Sequence, residues 1–139
     1  MELKDFIRTA LAVPFAPKGR DYEAWDCWGL VYCAFRDVLG IHLPSYLDEY
    51  ERPGDTGESR RKLEALIVRE AYDWKPVSLP KEMDLALFKI AGNRSHIGLM
   101  VDRANCLHTE AKIGTIIEPI NGLVWAKRLE GVYRYVRVG

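Results

Sequence analysis

The spacing of apolar residues changes period partway along this chain. Near the start, Leu3, Phe6, Ile7, Ala10 and Leu11 recur at helical spacing and predict an amphipathic helix over 2–12. Pro14 and Pro17 end it, and 14–25 reads as an irregular loop. A second helix is predicted over 27–39, with Asp26 as N-cap and Gly40 as its stop. It places Cys27, Val31, Ala34 and Val38 on one face. After a loop over 41–58, a third helix is predicted from Ser59 to about Tyr72, burying Leu63, Leu66, Ile67 and Ala71. Pro76 and Pro80 bracket a short connector. Beyond it the period becomes two. Leu85–Ile90, His96–Val101, Cys106–Glu110, Thr115–Ile120 and Val132–Val138 read as strands. Helices first and strands second predict an α+β fold, with N-terminal helices packed on an antiparallel sheet. At 139 residues this is one domain.

Charge and thiol content narrow the function. Lys and Arg number 20, as do Asp and Glu, so there is no basic excess to suggest a nucleic-acid partner. The balance is uneven: residues 21–55 hold eight acids and two bases, a net of −6. An acidic field around a cleft there would favour an amine-bearing substrate and raise a nearby thiol's pKa. The plainer alternative is solvated loop acids pointing elsewhere. No run approaches 18 apolar residues, so no membrane span is expected. The start, Met1-Glu2-Leu3-Lys4-Asp5, lacks signal-peptide character and predicts synthesis in the cytoplasm. Three cysteines at irregular spacing predict free thiols. No Cys-x-x-Cys or His-x-x-x-His pair exists, so neither a metal site nor a cofactor is expected. His42 reads as structural or exposed, and Cys33 and Cys106 as packing residues.

Cys27 directly follows the N-cap. A helix N-terminus favours a thiolate and offers backbone N–H groups that can hold an oxyanion. A nucleophilic cysteine needs both, and a base. The alternative is a small buried residue. His96 and His108 are candidate bases on successive strands, or else two unrelated histidines of a hairpin. For them to share a face, the register sum must be even, so the hairpin loop must hold an odd number of residues or a bulge.

Asp26-Cys27-Trp28-Gly29-Leu30-Val31 resembles the Asp-Cys-Ser-Gly-Leu-Val motif of the NlpC/P60 cell-wall endopeptidases, which are papain-like cysteine peptidases. Met83-Asp84-Leu85-Ala86-Leu87-Phe88 is similar to their Gly-Asp-Leu-Val-Phe-Phe strand. Ser95-His96-Ile97-Gly98-Leu99-Met100 and Leu107-His108-Thr109-Glu110 resemble the segments bearing their histidine and third catalytic residue. The resemblance implies a papain-like fold with Cys27 as nucleophile, His96 as base and His108 fixing the His96 tautomer. It implies that Asp26 reads the free amine of a peptidoglycan stem peptide. It implies cleavage at the D-γ-glutamyl to diamino-acid bond; a monomer is expected. Phe15 stands where relatives often carry a Tyr near the oxyanion, with Tyr22 in the same loop as a substitute, and Trp28 replaces the Ser and reshapes the pocket. Residues 46–76 read as an insertion between nucleophile and base. The Trp28 variant, the run from Leu39 to Tyr46, and the ending from Trp125 to Tyr135 resemble the subset encoded with phage tail genes. That subset implies tail proteins as partners and a virion tail as location.

Two further readings stay open. One is a non-catalytic module kept for tail assembly or wall binding, favoured by Phe15 and Trp28. The other is acyl transfer or amidase action on the same fold, because water and an amine attack the same thioester.

Overall fold

The computed structural model describes residues 1–47, 73–90 and 93–136. The first helix, α1 (Leu3–Ala10), buries Phe6 and Ala10. A two-stranded ribbon follows, β1 (Arg20–Asp21) with β2 (Ala24–Trp25), too short to leave a periodic signal in the sequence. Helix α2 (Cys27–Ala34) begins as expected: the Asp26 carboxylate accepts the Gly29 N–H at 2.8 Å. Its continuation Phe35–Leu39 widens into a π-helical turn, ended by Gly40 at φ 70°.

The expectation of one buried face on α2 was too narrow. Every residue of α2 except Tyr32 is buried. The helix is central, with α1 and the ribbon on one side and the sheet on the other. Gly29 permits this closeness, since a Cβ there would lie 1.9 Å from the Gly19 carbonyl oxygen.

The sheet runs β3-β8-β4-β5-β6-β7, every neighbouring pair antiparallel. Its strands are β3 (Trp74–Val77), β4 (Leu85–Ile90), β5 (Asn93–Met100), β6 (Asn105–Glu110), β7 (Gly114–Pro119) and β8 (Leu129–Tyr135). A one-turn helix, α3 (Trp125–Arg128), precedes β8. Residues 74–77, expected as connector and as the end of the insertion, form an edge strand with Pro76 opposite Tyr133. Proline is tolerated there because an edge strand leaves one row of N–H groups unpaired. The third predicted helix, 59–72, and most of the expected insertion lie outside the described residues.

The sheet buries both faces. Leu85, Leu87, Ile97, Leu99 and Leu107 face α1 and α2 in the main core. Ala86, Phe88, Met100, Cys106 and Val132 form a smaller core on the opposite face, closed by Trp125. The β4 start is fixed by Asp84, which is fully buried and held by Arg134 through two contacts of 2.8 and 2.9 Å. Just before it Met83, aligned with the Gly of the resembling motif, takes φ 71° with its side chain in the main core. Among the described residues no helix is long and apolar enough to cross a membrane.

Candidate active site

The site forms where the sheet opens. The β5–β6 ladder is short, pairing only Leu99 with Leu107 and Met100 with Cys106. These pairs sum to an even number, and the turn beyond Val101 and Asn105 has three residues, held by the Asp102 carboxylate on the Ala104 and Asn105 N–H groups. His96 and His108 therefore share a face, as the register argument requires. Gly98 leaves room between them: a Cβ there would lie 2.9 Å from the Cys106 sulfur and 3.5 Å from the His108 Cβ.

On that face His96 Nε2 lies 3.1 Å from His108 Nδ1. Trp125 stacks on the His96 ring at 5.3 Å and meets the His108 ring edge-on at 4.8 Å. The two rings are 7% and 1% exposed. Burial lowers both pKa values, that of His96 to about 3, with the neighbouring His108 and then Arg128 adding to it. Both rings are thus neutral at physiological pH.

His108 Nε2 lies 3.4 Å from Glu118, at ion-pair distance but without hydrogen-bond alignment. It is one of two buried side-chain polar atoms left without a hydrogen bond among the described residues, the other being the adjacent Thr109 hydroxyl. The tautomers set the direction of this chain of contacts. With His108 N–H on Nε2, toward Glu118, its Nδ1 accepts from His96 Nε2–H, and His96 Nδ1 carries the lone pair a base needs.

Cys27 approaches from the other face. Successive β5 amides alternate sides: the Met100 N–H goes to the Asp84 carbonyl on the β4 side and the Val101 N–H to Asn105 on the β6 side. The Ile97 N–H therefore points toward β6, where the ladder has ended, and it hydrogen-bonds the Cys27 sulfur. Among the described residues no hydrogen bond joins that sulfur to His96. The two meet through Ile97, the residue after His96.

The surroundings oppose the thiolate that a helix start favours. Burial first, then the Asp26 charge, push the Cys27 thiol up to about 12, outweighing the Ile97 N–H, Arg20 and the Trp28 N–H. Burial thus favours a neutral thiol beside neutral imidazoles.

The remaining candidates lie apart from the histidines. Asp26 is wholly buried: besides capping α2, it accepts the Lys18 N–H at 2.9 Å and pairs with Arg20 at 2.8 Å. A substrate amine would reach it only by displacing one of these partners. The Tyr22 hydroxyl donates to Asp37, and its ring packs on Phe6 and Trp25, so it does not stand in for the hydroxyl missing at Phe15. Phe15 bridges to Trp25. Trp28 donates its Nε1–H to the Pro44 carbonyl at 2.7 Å and meets the Tyr46 ring at a tilt, with centroids 5.4 Å apart. Cys33 and Cys106 are buried, and His42 is exposed.

Sequence reasoning placed Glu110 on the His108 face without giving it a role, and missed Glu118 and Trp125. Glu110 shares a strand face with His108, and Glu118 lies opposite Cys106. For Glu110 period-two alternation was a usable signal, whereas Glu118 also needed the β6–β7 register. Trp125 sits in a four-residue helix with no period to read.

The NlpC/P60 family model matches residues 12–134. The murein DD-endopeptidase MepS/murein LD-carboxypeptidase of Escherichia coli K12 is 27% identical over 110 residues, covering 79% of this chain and 49% of the relative. The chain therefore spans about half the length of the curated relatives it matches. The NlpC/p60 domain of the peptidoglycan hydrolase SagA superposes with TM-score 0.63 at 14% identity, covering 95% of this chain and 94% of that one. An NlpC/P60 family protein of Bacillus cereus superposes with TM-score 0.62 at 21% identity, covering 96% and 40%. A family motif at Cys27, a fold shared with these structures and a family match over most of the sequence agree: the chain belongs to the NlpC/P60 family.

Proposed function

We propose that the protein is a cysteine peptidase that hydrolyses amide bonds in peptidoglycan stem peptides through a Cys27 thioester. The observation that carries this reading is the His96–His108 contact at 3.1 Å, beside a cysteine at a capped helix start. In this mechanism His96 Nδ1 takes the Cys27 proton as sulfur attacks the carbonyl, and the imidazolium is stabilised by His108, backed by Glu118. The N–H groups at the start of α2 receive the oxyanion. His96 then returns the proton to the leaving amine and activates water against the thioester.

The murein endopeptidase relative supports peptidoglycan as the substrate. The D-γ-glutamyl to diamino-acid bond and action in a phage tail are finer parts of the proposal, resting on motif resemblance alone. The protonated resting thiol and the missing hydroxyl at Phe15 favour a second reading, a wall-binding or tail-assembly module with little activity. Digestion of purified peptidoglycan, with products identified by mass, separates the two. Release of stem fragments cut at one defined bond supports the peptidase. Binding to the sacculus without release supports the module.

A further inference from the structure

We infer that His96, His108 and Glu110 form a binding site for a borderline transition-metal cation such as Zn²⁺, and that its occupancy switches the site off. Each of the three offers a ligand atom within 4.8 Å of the other two. Two imidazoles and a carboxylate form a donor set that suits zinc, leaving a fourth position for water.

The spacing is close to what a metal needs. Tetrahedral Zn–N bonds of about 2.0–2.1 Å place two ligating nitrogens about 3.3 Å apart. His96 Nε2 and His108 Nδ1 already lie 3.1 Å apart, so the rings keep nearly this separation and tilt to aim both lone pairs at one point. A second, independent feature points the same way. His108 Nε2 is buried without a hydrogen bond, and Glu118 stands 3.4 Å from it. Metal-bound histidines commonly direct their other N–H to a carboxylate, which fixes the tautomer and raises ligand basicity. Glu118 is placed for that role behind His108.

The switch, unlike the binding, rests on the peptidase reading above. A metal on His96 Nε2 moves that ring's proton to Nδ1, the atom that must accept the Cys27 proton. No net proton is released, but the base is lost.

The test titrates the full protein with Zn²⁺ by calorimetry and with Co²⁺ by its visible absorption near pH 7.5, alongside fragment release from peptidoglycan. One metal per chain is expected, with affinity unchanged within about threefold in Cys27→Ala and weakened at least about tenfold in Glu110→Gln and His108→Ala. Glu110→Gln should need about tenfold more Zn²⁺ than wild type to halve its own rate in chelated buffer. No binding below millimolar metal, binding lost in Cys27→Ala, or binding unchanged in Glu110→Gln would each overturn the site. Metal binding as expected without any hydrolysis in chelated buffer would sink the peptidase reading and the switch, and leave the metal site standing.

Discussion

His96 and His108 touch across an opening in the sheet, Nε2 to Nδ1 at 3.1 Å, while Cys27 reaches the same opening from the helical face. The β5–β6 ladder stops short of this point. That lets one strand's amide serve the sulfur while the side chains on the opposite face pair with each other.

In the proposed mechanism His108 acts on His96 through its tautomer. His108→Ala should lower kcat about 100-fold or more and leave KM nearly unchanged, because the lost interaction strengthens as His96 becomes charged. His108→Asn, which keeps an acceptor, should recover part of that loss. A fall confined to KM would assign His108 to substrate binding instead.

Both imidazoles ionise less readily in the fold than in the unfolded chain, His96 down to about 3 from 6.5. Below pH 6.5 the unfolded chain takes up protons that the native protein refuses. Stability is therefore complete above about pH 6.5 and falls as pH drops toward 3, at about 1.4 kcal/mol per pH unit for each proton involved. Denaturant melts across this range should show that slope, and His96→Asn should flatten it. An unchanged slope in the variant would remove His96 as its cause.

Asp26 serves the scaffold. It caps α2 and neutralises Arg20, whose side chain is 10% exposed against 0% for Asp26. Asp26→Ala should cost about 3 kcal/mol or more, since it removes a cap and leaves a nearly buried guanidinium without this partner. Asp26→Asn keeps the cap acceptor and should cost less. A raised KM with an unchanged melting temperature would instead make Asp26 a reader of the substrate amine.

The Cys27 thiol is held protonated, so its alkylation by iodoacetamide should climb steadily from pH 7 to pH 10 in the absence of substrate. A plateau reached near pH 7 would show a thiolate already formed and contradict the neutral resting pair.

The sequence made the helix start, the strands and the shared face of the histidines legible because these depend on local rules: a cap three residues from its donor and side-chain alternation. The residual charge of −6 over 21–55 was less informative. Asp26 and Asp37 are paired inside the structure with Arg20 and Arg36, while Asp21 and Glu23 are exposed. Arg20 lies outside that segment and cancels the Asp26 charge in space, which the count along the segment retains. The burial that raises the Cys27 thiol was legible in principle, because Cys27–Ala34 carries no charged residue and an enclosed helix is apolar on every side. Glu118 escaped notice because its contact with His108 depends on the β6–β7 register.

The most direct measurement is a trap of the acyl-enzyme. The protein is mixed with a soluble stem peptide and quenched in acid during turnover, and the chain is mapped by mass. The account predicts an adduct of the acyl fragment on Cys27, with turnover lost at least about 1,000-fold in a folded Cys27→Ala variant. Turnover retained at the wild-type rate in Cys27→Ala would contradict it.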